Sequence, residues 1–447
     1  MVADNGFVTT APPDDATTQP GAVGAAAAEP TASGRAAGRP TWLRDATLFL
    51  TSQTVSLFGS MLVQYAIMWH LTLQTKSGSV MALAAVFGFL PQAVVSVFGG
   101  VWADRLNRKV LIIGADAMIA TATLALAMLM LGGADDLWLI YAALVIRSVG
   151  AGVQMPAVSA LLPQIVPTEK LMRVNGINGT IQSAMMLVAP AAAAAVYASS
   201  SIVAVFFVDI VTAVIGIGLL SLLAVPRLVR PVLTGDAHAA YFDDLLGGLR
   251  YAVSHTFVRW LLALYAVVFV LIVAPSYLTP LMIVRTFGAE VWKLTVNEVA
   301  FSVGMILGGA LLATWGGLKN RVTMIVASTL AFGGLSVGLG LSTHLVVFFG
   351  FMFLVGLAVP FFSTTSMTVL QETVEPEMQG RVFGFVGIVM ALALPVGMAV
   401  FGPLADRFTV EAVLIASGVL TFLVVGAAVG LPPGRRAVEA AREHSLS

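Results

Sequence analysis

Four ionisable side chains stand inside long apolar stretches of this chain: Asp116, Arg147, Asp209 and Glu298. A charge in such a setting is costly and needs a reason. A carboxyl there takes up and releases a proton as its surroundings change. A guanidinium beside it either polarises that carboxyl or locks it into a buried pair. At about 1.5 Å of helical rise per residue, Arg147 falls near the middle of its stretch. By the same rise, Asp116, Asp209 and Glu298 lie roughly 10 Å inside one end or the other. All four are candidates for proton coupling. Arg147 is expected to pair with Asp209 or to polarise a protonatable carboxyl, and Asp209 and Glu298 lead as proton carriers. Asp116 sits nearer a basic loop and is expected to gate or to pack. The residues alone leave a helix-packing role open for each.

Neutral polar residues form a second pattern. Gln53, Ser56, Ser60 and Gln64 recur at helical spacing and make one polar stripe, with Tyr65 and Trp69 close by. Small-residue packing would account for the serines but not for two glutamines, so the stripe is read as a cavity wall. Ser363 to Ser366 are a candidate for the facing wall.

Other chemistry lacks its residues. There is no cysteine, which removes disulfides, thiolate metal sites and cysteine nucleophiles together. The histidines (His70, His238, His255, His344, His444) are scattered without ligand spacing. No nucleophile–base pair and no phosphate-binding loop is present. The expectation is a protein that is not an enzyme and carries no metal or cofactor. The net charge of zero offers no hint of a nucleic-acid partner.

The elements that must position these residues are membrane helices. Of 447 residues, 58% are hydrophobic and 10% charged, and mean hydropathy is +0.95. A soluble domain carries about 25% charged residues, so lipid must surround most of this chain. Apolar stretches long enough to cross a bilayer fall at 45–73, 80–102, 110–133, 137–162, 174–199, 202–225, 257–284, 293–316, 322–342, 345–370, 382–404 and 411–431. Residues 1–43 read as a disordered cytoplasmic tail, 227–256 as a polar linker dividing the spans six and six, and 432–447 as a charged tail. All Lys and Arg except Lys76, Arg285, Lys293, Arg407 and the intramembrane Arg147 fall on one face. That bias places both termini in the cytoplasm. In the seventh span, Pro275 and Pro280 are expected to kink the helix.

The halves echo each other. Glu169-Lys-Leu-Met-Arg173-Val-Asn-Gly176 follows the fourth span, and Glu377-Met-Gln-Gly-Arg381-Val-Phe-Gly384 follows the tenth. Gly99–Gly100 in the second span is matched by Gly308–Gly309 in the eighth. Two six-helix copies of parallel topology are a transporter architecture.

The loop after the second span reads Gly100-Val-Trp-Ala-Asp104-Arg105-Leu-Asn-Arg108-Lys109. It resembles the signature loop of the major facilitator superfamily, with Asn107 where that family usually has glycine. Arg147-Ser-Val-Gly150-Ala-Gly152 resembles the family's second motif. The fifth span keeps Gly176, Gly179 and Pro190 of the antiporter motif, but Ala191 to Ala195 replace its last glycines. Leu57-Phe-Gly-Ser60, Gly88-Phe-Leu-Pro-Gln92, Ile113-Gly-Ala-Asp116 and Pro156-Ala-Val-Ser159 resemble the bacterial macrolide-efflux branch.

The resemblance implies an all-α membrane fold of twelve helices in two pseudo-symmetric halves, in a bacterial cell membrane. It implies that Gly100, Asp104, Arg105, Arg108 and Lys109 form a gating latch between the halves on the cytoplasmic side. Helices 1 and 7 are then expected to line a central cavity. The implied function is export of amphiphilic, macrolide-like molecules by proton antiport, with substrate, protons and lipid as partners and a monomer as the working unit. Export of a siderophore or a lipid-like metabolite is the alternative within transport. A non-transporting receptor is the alternative outside it, disfavoured because no loop is large enough for a signalling domain.

Overall fold

A computed structural model describes residues 41–225, 250–251, 253–430 and Arg435. The expected tails and most of the expected linker lie outside the described residues. Twelve helices are long and apolar enough to cross a membrane. They are α1 (Trp42–Thr75), α2 (Gly78–Arg105), α3 (Arg108–Leu131), α4 (Leu137–Ile165), α5 (Thr168–Ser199), α6 (Ile202–Ser221), α7 (Thr256–Phe287), α8 (Val291–Trp315), α9 (Arg321–Leu341), α10 (Leu345–Thr373), α11 (Pro376–Arg407) and α12 (Val410–Gly430). Each expected span meets one of them.

Short polar residues begin several helices by accepting from free backbone amides, as such residues do. Asn107 Oδ1 accepts from Lys109 N at 3.1 Å before α3, and Asn320 Oδ1 from Thr323 N at 3.0 Å before α9. The kink expected in α7 is a break. Regular helix ends at Tyr277, a four-residue turn from Thr279 to Met282 follows, and Ile283–Phe287 is wound as a π-helix. Pro280 has no amide to donate back along the helix, which accounts for the interruption.

Glycine sets the closest approaches, and it does so alike in both halves. A Cβ on Gly99 would stand 2.6 Å from the Gly152 carbonyl, where α2 meets α4. A Cβ on Gly308 would collide with the Leu357 carbonyl, where α8 meets α10. The expected repeat is therefore an equivalence of packing. Helices α1–α6 pack among themselves, as do α7–α12, and the halves meet chiefly through α2 with α11 and α5 with α8. The helices alternate in direction. One face carries the loops rich in Arg and Lys, called here the basic face, and the opposite face carries Lys76, Arg285 and Arg407.

Candidate functional site

Helices α3 and α4 run antiparallel and each carries two polar residues seven apart, two helical turns, on one face. On α3 these are Asp116 and Thr123, and on α4 Arg147 and Gln154. They meet as two rungs. In the rung nearer the opposite face, Arg147 Nη1 donates to Asp209 Oδ2 of α6 at 2.6 Å and to the Thr123 hydroxyl. The Thr123 hydroxyl also lies 3.0 Å from Asp209 Oδ2. In the rung nearer the basic face, Asp116 Oδ1 accepts from Gln154 Nε2 at 2.6 Å and from the Ser56 hydroxyl of α1 at 2.8 Å. Asp116 Oδ2 is buried and meets no donor.

The two carboxyls thus differ in kind. Asp209 is charge-paired and 1% exposed, the arrangement in which a buried charge is tolerated. Asp116 is 2% exposed and has hydrogen bonds but no cation on it. The expected pairing of Arg147 with Asp209 is present. Thr123 and Gln154 were not among the expected site residues. Their seven-residue spacing from Asp116 and Arg147 is the signal that points to them.

The polar stripe of α1 divides. Gln53, Ser60, Gln64 and Tyr65 are half-buried, and Gln53 Nε2 lacks a partner. Ser56 is 4% exposed and bonds to Asp116, and Trp69 is 1% exposed in the core. Ser56 is thus turned toward α3, and Trp69 is enclosed in the apolar core. On the facing side Ser366 is buried with its hydroxyl unpartnered, and Ser363 bonds back to the Val359 carbonyl.

Glu298 of α8 is not brought to the two rungs. It stands half-buried within electrostatic reach of Tyr65 of α1 and Tyr277 of α7, beside Asn297. Tyr65 belongs to the N-terminal half, and Tyr277 and Glu298 to the C-terminal half. Such a group can carry a proton or pair with a cationic group on a ligand, and tyrosine faces favour the same cation. In the loop just before α8, the Glu290 carboxylate accepts from the Lys293 ammonium at 2.7 Å, which holds it below its ordinary range.

The bonds described for the loop from Gly100 to Lys109 lie within its own half. Arg108 donates to the carbonyls of Ala103 at 2.9 Å and Ala160 at 2.7 Å, and to Asp104 at 3.3 Å. Lys109 Nζ caps the end of α6 through the Ser221 and Leu223 carbonyls, both at 2.8 Å. Asp104 is 71% exposed, Arg105 is exposed, and Gly100 has open space about it. The expected contact from this loop to the other half is absent among the described residues. The early turns of α5 and α11 are largely exposed, so the halves stand apart on this face.

No group of His, Asp or Glu suited to a metal ion occurs among the described residues. Comparison with known proteins places this geometry. Macrolide efflux protein A of Streptococcus pyogenes is 32% identical over 374 residues, covering 83% of this chain and 92% of that one. Macrolide efflux protein A of Enterococcus faecalis is 31% identical over 324 residues, 72% of this chain and 100% of that one. Among solved structures, a POT family transporter in complex with 5-aminolevulinic acid superposes with a TM-score of 0.69 at 10% identity, covering 87% of this chain and 96% of that one. The nucleoside transporter NupG gives 0.61 at 14% identity, covering 87% and 98%. These two likenesses concern the fold. The family description that matches residues 49–398 and 292–445 is the Major Facilitator Superfamily. The chain belongs to that superfamily and resembles its macrolide-efflux proteins: it is a multi-pass membrane transporter and not an enzyme.

Proposed function

We propose that this transporter exports amphiphilic, macrolide-like molecules from the bacterial cytoplasm in exchange for protons, by alternating access. The substrate class rests on one observation, the 32% identity to macrolide efflux protein A over most of both chains. The orientation rests on the basic loops, which put both termini in the cytoplasm. In this reading a monomer suffices, because one chain carries both halves.

In this reading Asp116 carries the proton, and Asp209, named first from the sequence, is the fixed counter-charge of Arg147. The bare Asp116 Oδ2 supports this order. A buried oxygen without a donor is far less costly on a neutral carboxyl than on a carboxylate. When Asp116 ionises, its bonds to Ser56 of α1 and Gln154 of α4 strengthen, so the charge state is felt by two helices of the N-terminal half. Glu298, with Tyr65 and Tyr277, receives the polar or cationic end of the substrate. Gln53, Ser60 and Gln64 offer hydrogen bonds along the wall.

The test is accumulation of labelled macrolide in efflux-deficient cells expressing the protein, with and without a protonophore. The expected result is lower accumulation that the protonophore abolishes. No change, with the protein confirmed in the membrane, would sink the drug reading and send the search to siderophores and lipid-like metabolites. Lower accumulation that the protonophore leaves intact would keep export and discard proton coupling.

A further inference from the structure

The last turn of α11 reads Gly402-Pro-Leu-Ala-Asp406-Arg407. It repeats the pattern Gly100-Val-Trp-Ala-Asp104-Arg105 that ends α2: glycine, three residues, Asp-Arg. The two helices pack along each other in opposite directions, so one copy lies at each end of a single helix pair. The copies are in opposite states.

At the opposite face the copy is engaged. Asp406 Oδ2 accepts from the Ser77 hydroxyl at 2.8 Å and from the Ser79 amide at 2.7 Å. Asp406 Oδ1 accepts from the Gly78 amide at 2.7 Å and from Arg285 Nη2 at 2.8 Å. A carboxylate of the C-terminal half thereby caps the start of α2 in the N-terminal half, where free amides and the helix dipole both favour negative charge. Arg285 completes the join. It donates to the Lys76 carbonyl of the N-terminal half through Nε at 2.9 Å and Nη2 at 2.6 Å, and to Ala405 of its own half. Lys76 is the described non-glycine residue with positive φ, at 49°, and this left-handed turn offers its carbonyl to Arg285. Gly402 lies backbone to backbone on Gly78, and a Cβ on Gly402 would stand 2.5 Å from the Gly78 carbonyl.

At the basic face the other copy makes no bond from Asp104 to the C-terminal half among the described residues. Asp104 is 71% exposed and bonds Arg108 one turn away, and a Cβ on Gly100 would meet no atom of another element within 4 Å. A rigid rocking motion cannot close both ends of one helix pair together.

We infer that Asp406 and Arg285 form an outer latch that holds the extracellular face shut, in alternation with the Asp104 copy at the cytoplasmic face. The inference rests on alternating access and on the orientation given above, and it is independent of substrate and of coupling ion. Closing the outer face gains the four hydrogen bonds on Asp406, and opening it returns them to water. Asp406 and Arg285 are positioning residues for the transport cycle, since neither touches substrate.

The chain has no cysteine, so introduced ones report without background. Gln64→Cys, half-buried on α1 and part of the stripe proposed as cavity wall, is labelled from outside intact cells with a membrane-impermeant maleimide. Ser417→Cys serves as the control, 2% exposed between α9 and α12 and reachable only if the fold is lost. Asp406→Asn is expected to raise the Gln64→Cys rate about tenfold, the worth of one charge-assisted hydrogen bond, with Ser417→Cys unchanged. Ser77→Ala, which removes one donor, is expected to raise it in the same direction by less. Asp104→Asn is expected not to raise it. An unchanged Gln64→Cys rate in both Asp406→Asn and Ser77→Ala would overturn the latch. So would a Ser77→Ala rise matched at Ser417→Cys, because unfolding would then explain it. If labelling responds as expected while no macrolide is moved, the latch stands and the drug reading falls.

Discussion

Arg147 holds Asp209 at 2.6 Å with Thr123 closing the triangle, so a charge from each of α4 and α6 is neutralised inside the N-terminal half. Removing one partner strands the other. Arg147→Met is expected to destabilise the purified protein by about 3–5 kcal/mol, the usual cost of breaking a buried pair. The double variant Arg147→Met with Asp209→Leu is expected to recover most of that loss, since no charge is then left buried. Thermal unfolding in detergent, arranged as a double-mutant cycle, reads both numbers. Single variants as stable as the parent would show that the pair holds nothing together.

Asp116→Asn keeps a similar shape and retains an oxygen to accept from Ser56 and Gln154, but it cannot exchange a proton. In proteoliposomes it is expected to lose pH-gradient-driven transport by tenfold or more. Exchange of labelled for unlabelled substrate, which needs no net proton movement, is expected to stay within about twofold. The tenfold criterion corresponds to about 1.4 kcal/mol on the driven step. Driven transport at the parental rate would take the proton away from Asp116.

Much of this was legible in the residues. Intramembrane charges must find partners, so the residues mark Arg147 and Asp209 as candidates for each other, with polarisation of a proton-carrying carboxyl left open beside a fixed pair; the structure has the ion pair. The spans follow from the same cost of putting charge in lipid, and all twelve meet a helix long and apolar enough to cross. The stripe on α1 was half legible. Spacing gives a face of a helix, but the helix is wrapped by neighbours, and Ser56 turned toward α3 while Gln64 did not. The opposite-face cluster was hidden for a different reason. Arg285, Lys76 and Asp406 are far apart in the chain and each reads alone as an ordinary interfacial residue. The repeated glycine-to-aspartate spacing was the one signal present.

Glu298→Gln tests the cavity. The carboxyl lies within electrostatic reach of Tyr65 and Tyr277 and, in the proposed reading, pairs with a cation on the substrate. The substitution is expected to raise the half-saturating concentration about tenfold for a substrate bearing a protonated amine. A neutral analogue of similar bulk is expected to change less than twofold. Vesicle uptake of the two compounds side by side measures the split. Equal losses for both would move Glu298 from recognition to structure or coupling.

Gly99 and Gly100 are neighbours with different surroundings, and that difference makes the last prediction. A Cβ on Gly99 would press on the Gly152 carbonyl at 2.6 Å and on Pro156 at 3.2 Å, while one on Gly100 would meet nothing. Gly99→Ala therefore overpacks the α2–α4 contact and is expected to cost about 1–3 kcal/mol of stability. Gly100→Ala is expected to leave stability within about 0.5 kcal/mol of the parent, or to raise it slightly, because alanine suits a helix better than glycine. Transport is expected to reverse that ranking per folded molecule. If closing the basic face brings Gly100 against the other half, as Gly402 already lies on Gly78, the added methyl obstructs a state that this conformation does not display. Initial export rates normalised to protein in the membrane, set beside unfolding midpoints, give both readouts. A Gly100→Ala protein as active as the parent would mean that this end of the α2–α11 pair never closes tightly.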